Sequence, residues 1–313
     1  MRACLDCLPC LARNATELAR RSARGDAELE GRIAAAGMRI LGAAAEAGYP
    51  LPPPCYARQL MDNALEMCGG AVPDPWAEEK KKSTELALKL MERLDEIPGW
   101  ARDAVAVNCD PPVAAGGSQF IASEFEKRLR LAIAGNILDF SIYADLDIAA
   151  AMETMKEAFR KPIDTAAVAE LKRRMDEAKS ILWIFDNCGE AVFDRLLIEP
   201  YRDKITLAVR GKPAFNDMTR AELEPSGLSH FIKCDSLVSN DDGVTGVVDE
   251  TCGEEFRAAF SSADLIIAKG QANFETMSER TDKPIAFLFL AKCPVVCRAI
   301  GAEPKTIQVI FNT

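Results

Sequence analysis

An apolar run over residues 181–185 stops at two adjacent oxygen-bearing side chains, Asp186 and Asn187, and Gly189 and Glu190 follow at once. The arrangement repeats along the chain. Residues 205–209 lead to Arg210 and then to Asn216 and Asp217, residues 265–268 lead to Lys269, Gly270, Asn273 and Glu275, and residues 285–290 lead to Lys292. If these runs are parallel strands, the polar groups gather along one edge of a sheet, where ligands of open α/β sheets bind. Carboxylates and amides without imidazole or thiolate suit a hard divalent cation, magnesium or manganese before cobalt or nickel. Lysines, and a helix opening at Gly270, would hold an anion such as phosphate. The competing reading is that Asp186 and Asn187 only cap the helix after them, a common use of both residue types. On this stretch alone the two readings are equal.

A second polar pair, Asn136 and Asp139, interrupts an otherwise apolar stretch three residues apart and would share a helix face. Buried polar groups need partners, so the pair is either a satisfied core network or a second wall of the site. No Gly-x-Gly-x-x-Gly and no P-loop is present, so neither a dinucleotide nor a Walker-type nucleotide site is indicated. Asp186 after an apolar strand is similar to the Asp-x-Asp of haloacid-dehalogenase phosphatases. Cys188 stands where their second Asp acts as general acid.

These residues need a scaffold. Up to about residue 170 the pattern is nearly all helical: segments begin near Leu11, Asp26, Cys55 and Trp76, and others cover residues 101–108, 147–159 and 164–179. Pro-rich residues 50–54 and Gly69 with Gly70 separate them, and Ser123 with Glu126 predicts a capping box. The charge run 78–82 reads as a solvated helix face. From residue 181 short apolar runs alternate with helices, the pattern of a parallel sheet with crossover connections. The expected fold is α/β: a helical region over 1–170, then a Rossmann-like α/β/α domain over 171–313 with a mainly parallel sheet.

Composition narrows the function classes. With 313 residues, 49% hydrophobic and 27% charged, the chain can bury a large core. Its net charge of −10 argues against a nucleic-acid partner. No apolar stretch is long enough to span a bilayer and no signal segment opens the chain, so no membrane partner is expected and the cytoplasm is the expected compartment. The single histidine, His230, removes two-histidine zinc motifs and most Ser-His-Asp schemes, and its apolar neighbours point to a structural role. The eleven cysteines are expected as thiols. Cys4, Cys7 and Cys10 have metal-motif spacing but no fourth ligand nearby, with Cys55 and Cys68 the candidates; the plainer reading is small buried residues on a helix. They precede the helices and follow no strand, which places them away from the phosphate site.

Taken together, Cys4-x-x-Cys7, Asp74-Pro75 with Lys80, the segment Gly135 to Phe140, Asp186-Asn187-x-Gly189-Glu190, Asn216-Asp217-Met-Thr219 and Lys269-Gly270-Gln-x-Asn273-Phe-Glu275 resemble the domain-of-unknown-function 89 family. The likeness is to its prokaryotic branch, described as metal-dependent damage-control phosphatases. It implies a helical part plus a Rossmann-like part, with one divalent ion held by Asp186, Asn187 and Asp217. Lys269 would face the phosphate beside these catalytic ligands. Asn136, Asp139, Glu190, Asn216, Gly270, Asn273 and Glu275, with Lys292 from the strand-end reading, would line the substrate. The implied activity is a metal-dependent phosphomonoester hydrolase acting on small phosphorylated metabolites, sugar phosphates or damaged cofactor phosphates. Alternatives are a cysteine-based metal or redox sensor and a carboxyl methyltransferase, although no Gly-rich S-adenosylmethionine loop is found.

Overall fold

A strand that is apolar on both faces needs cover on both, and the computed structural model shows how this chain supplies it. The structure describes residues 1–71, 73–100, 123–137, 148–231 and 236–312. The helix expected over 101–108, and Asp139, lie outside the described residues.

Among the described residues six strands form one sheet: β1 (Ile181–Ile184), β2 (Ile205–Val209), β3 (Leu237–Ser239), β4 (Leu265–Lys269), β5 (Ile285–Ala291) and β6 (Thr306–Phe311), in the order β3-β2-β1-β4-β5-β6. All neighbours pair parallel except β5 and β6, which are antiparallel. The α/β fold with a mainly parallel sheet is therefore as read from the sequence. Only β3 went unread, a strand of three residues too short to show a period.

Alternate residues serve opposite faces. Ile181, Trp183, Leu207, Ile267 and Leu288 pack under α5 (Glu124–Ala134), α7 (Thr165–Glu177) and α8 (Cys188–Ile198). Leu182, Ile184, Ala208, Ile266 and Phe287 pack under α9 (Glu254–Ser262), α10 (Gln271–Met277) and α11 (Pro294–Ile300). Thus α5, which precedes residue 170, belongs to the sheet's own core.

The remaining helices form two further layers. α1 (Leu8–Ala23), α2 (Ala27–Glu46) and α3 (Pro53–Met67) share a core around Leu18, Leu41 and Met61. α4 (Ala77–Met91) and α6 (Ile148–Phe159) pack on α5 and α8 around Leu90, Met155 and Phe193. Local signals explain the boundaries. Asp26 and Asp164 accept backbone N–H groups at the starts of α2 and α7, and Pro53 and Pro54 sit in the first turn of α3, where their missing donors are not needed. Ser123 caps α5, but the reciprocal half of the expected box is not made. The Glu126 carboxylate instead accepts from Arg130, 2.9 Å away in the buried wall. Lys80, read as part of a solvated face, is 1% exposed. Among the described residues no helix is long and apolar enough to cross a membrane.

Candidate active site

The chain leaves β1 to form β2 and β3 on one side, then crosses to β4 on the other, so β1 and β4 flank the point where strand order reverses. Such a reversal opens a crevice at the carboxyl ends of the strands. Asp186 follows β1 and Gly270 follows β4, and they meet there. A Cβ on Gly270, whose φ is +78°, would lie 2.1 Å from the Asp186 carboxyl. Glycine is required twice over, by the backbone and by the space.

Asn187 stands at the N-cap of α8, yet its side chain makes no capping bond. Its Nδ2 donates instead to Asp186 Oδ2 at 2.8 Å, so the simple capping reading does not account for the pair. The loop carrying Asp217 is docked beside them. Asn187 and Asp217 form an isolated antiparallel bridge, Cys188 N donates to Asn216 O at 3.0 Å, and Met218 N donates to Asp186 O at 2.8 Å. Asp186, Asn187, Asn216 and Asp217 thereby line one cavity of about 620 Å³, which Asn136 and Lys292 also enter. A cavity of about 450 Å³ at the opposite edge of the sheet offers nothing comparable. Of its two acids, Asp264 is spent accepting Lys179 N and Ser180 N, and Glu177 accepts from Arg173.

Support comes from behind. Asn136 Nδ2 donates to Asp186 Oδ2 at 2.9 Å and to Glu190 Oε2 at 2.7 Å. Gly135 lets this turn approach, since a Cβ there would meet the Glu190 Cα at 3.0 Å. Lys292 Nζ donates to Asn136 O and, at 2.5 Å, to Asn136 Oδ1. Arg210 Nε donates to Asp217 Oδ2 at 2.8 Å while its other nitrogens bond the carbonyls of Gly246, Phe185 and Thr245. Asn273 donates to Phe185 O and Lys269 O, tying β4 to β1 from below the cavity wall.

Lys269 is placed differently from the expectation. It lies on the face of β4 that packs under α5 and α8, fully buried, and donates to Ala132 O at 3.0 Å, to Glu190 Oε1, and to Asp194 Oδ1 at 2.6 Å. All three ammonium donors are used, so Lys269 does not reach the cavity. It positions Glu190, and through Glu190 the amide of Asn136. Nor is the Gly270 N–H free for an anion, because it donates to Leu288 O at 3.0 Å within the sheet.

Burial acts on both acids. Burial, then the neighbouring Asp217 and Glu190, pushes the Asp186 carboxyl well above its usual range, with Arg210 and Lys292 opposing. Asp217 is raised too, by burial, against the pull of Arg210 and Lys80. Among the described residues Asp186 Oδ1, Asn187 Oδ1 and Asp217 Oδ1 accept no hydrogen bond. Two buried carboxylates and an amide oxygen, each with an open acceptor on one cavity, form a hard donor set short of positive charge, and a divalent cation fits it. Among the described residues no group of three or more His, Cys, Asp or Glu side chains could hold a metal. An ion here would therefore depend on Asn187 and on water or substrate oxygens.

Several contributors were not anticipated. Arg210 was seen only as the residue after β2, and Asp194 is i+4 to Glu190, a spacing that puts both on one helix face. Cys10 was expected away from the site, but α1 lies across the crevice and Cys10, Arg13 and Asn14 line it. Cys4 and Cys7 do not, and their sulfurs are 3.9 Å apart. Lys80 Nζ is 2.9 Å from Asp74 Oδ2 without hydrogen-bond alignment, and its charge also acts on Asp217. His230 is exposed and takes no part in the cavity.

Comparison with known proteins adds an independent line. A family model described as the damage-control phosphatase ARMT1-like domain matches residues 3–307. A damage-control phosphatase from Pyrococcus horikoshii is 31% identical over 272 residues, covering 82% of this chain and 85% of its own. One from Archaeoglobus fulgidus is 31% identical over 238 residues, 74% of each chain. The crystal structure of a DUF89 family protein from P. horikoshii superposes with a TM-score of 0.81 at 28% identity, covering 100% of both chains.

Proposed function

The chain belongs to the damage-control phosphatase ARMT1-like family, and from that premise we infer that it is a divalent-metal-dependent phosphatase of small phosphorylated metabolites. Relatives named as phosphatases over most of their length support a phosphatase role. The observation that carries the metal dependence is the meeting of Asp186 and Asp217, two buried acids raised in pKa, with unused oxygens on one cavity wall.

Asp186, Asn187 and Asp217 would hold the ion, and their all-oxygen character favours magnesium or manganese. A cation held by these three side chains would supply positive charge to the phosphoryl oxygens and help activate the attacking water. The chain's own residues do the rest. Lys292 spends two donors on Asn136, leaving a third for a phosphoryl oxygen. Asn136 and Asn187 fix Asp186 Oδ2, which leaves Oδ1 to face the cavity. A volume of about 620 Å³ is that of a small-metabolite pocket rather than of a protein-sized substrate site. Phosphomonoester hydrolysis is among the slowest uncatalysed reactions, so preorganised charge of this kind must provide most of the rate.

The test is turnover of a generic phosphomonoester after chelation and after restoring single metals, with elemental analysis of the purified protein. Activity should vanish in excess chelator and return with magnesium or manganese. Full turnover in chelator would overturn the reading.

A further inference from the structure

Hydrolysis of an alkyl phosphate expels a poor leaving group, and the departing oxygen needs a proton. Cys188 cannot supply it. Its thiol is fully buried at the start of α8, and burial raises its pKa well above the usual thiol value. The described cavity acids are Glu17, Asp186, Asp217 and Glu275. Asp186 and Asp217 are committed to the cation, and Glu17 accepts from Arg21 at 2.8 Å. Among the described residues neither Asp186 nor Glu275 forms an ion pair with a side chain, and with Asp186 assigned to the cation it is Glu275 that is left.

Its placement is specific. Gln271 and Glu275 are i and i+4 on α10, so both face the cavity. Gln271 Oε1 accepts the backbone N–H groups of Lys292 and Cys293, each at 3.1 Å. That orients its amide so that Nε2 donates to Glu275 Oε1 at 2.9 Å. Glu275 Oε2 has no partner among the described residues, and the residue is only 8% exposed.

We propose that Glu275 protonates the leaving-group oxygen, with Gln271 as its positioning residue; the proposal rests on the phosphatase reading above. As the P–O ester bond breaks, the Oε2 proton passes to the departing oxygen, giving the alcohol and a Glu275 carboxylate. Water forms the new bond to phosphorus. One of its protons stays on the phosphate and the other returns through solvent to Glu275.

Burial pushes the Glu275 carboxyl up to about 7, against the Gln271 hydrogen bond and the terminal ammonium, so the acid form persists near neutrality. The same cavity also carries Lys292, Arg13, Glu17, Asp186 and Asp217, and Glu279 follows the end of α10 beside the terminal ammonium. Ala57, the contribution of α3 to the lining, carries no charge.

Glycerol 3-phosphate and p-nitrophenyl phosphate, compared with the metal-loaded full chain, provide the test. An aryl oxide leaves without protonation and an alkoxide does not. Glu275→Gln should lower kcat on glycerol 3-phosphate by about 100-fold or more, and on p-nitrophenyl phosphate by less than about tenfold. Equal losses on both, or no loss on glycerol 3-phosphate, would overturn the proposal. The wild-type pH profile tests it without mutation: kcat on glycerol 3-phosphate should fall above about pH 7 as Glu275 loses its proton, and kcat on p-nitrophenyl phosphate should not. Coincident profiles would refute it. If the metal-loaded wild type hydrolyses neither ester, the phosphatase reading itself fails.

Discussion

Replacing Gly270 by Ala tests the junction on which the site depends. Two separate costs follow from the geometry. At φ +78° and ψ 158° the backbone occupies a region that non-glycine residues enter at about 1–3 kcal/mol. The new Cβ would lie 2.1 Å from both Cγ and Oδ2 of Asp186, so the carboxyl must retreat by roughly 1 Å. Oδ2 is the atom that accepts from Asn136 and Asn187, and weakening those two bonds adds about 0.5–1.5 kcal/mol each. The expected stability loss is thus about 2–6 kcal/mol, readable as a shifted urea midpoint with unchanged slope. A misplacement of about 1 Å at a metal-binding carboxylate should lower turnover about 100-fold, equivalent to about 2.7 kcal/mol. Gly301→Ala is the matched control, with φ +65° and nothing within 4 Å of its Cβ. It should show a smaller stability loss, about 1 kcal/mol, and no loss of turnover. Wild-type turnover in Gly270→Ala, with stability within about 1 kcal/mol, would refute the reasoning.

Two further outcomes follow from the buried charges. Lys269→Met strands Glu190 and Asp194 without their shared cation and should cost about 3–5 kcal/mol in chemical denaturation; a loss under about 1 kcal/mol would show that the triad is not the support described. Asp186→Asn removes a carboxylate that burial, Asp217 and Glu190 all oppose. In excess chelator at neutral pH the variant should unfold at higher urea than wild type, by at least about 1 kcal/mol, while metal-dependent phosphatase turnover is lost. A destabilised Asp186→Asn would mean that the site carries no unbalanced negative charge.

The sequence by itself determined the α/β class, five of the six strands among the described residues, and the polar residues at four strand ends. Those features are local: strand period, cap chemistry and glycine breaks are set by neighbours a few residues apart. The family was legible from the same spaced motifs. What the tertiary structure decided is which of those polar side chains face the cavity. Lys269 and Gly270 are adjacent in the chain, yet pleating sends the lysine under α5 and α8 while the glycine yields its space to Asp186. Arg210 and Lys80 show no motif of their own, because their partners Asp217 and Asp74 are local only after the loops dock. Cys10 enters the crevice because α1 packs across it, a placement set by contacts between elements far apart in sequence. Side-chain periodicity tells a residue which face it occupies, and only packing tells it what that face meets.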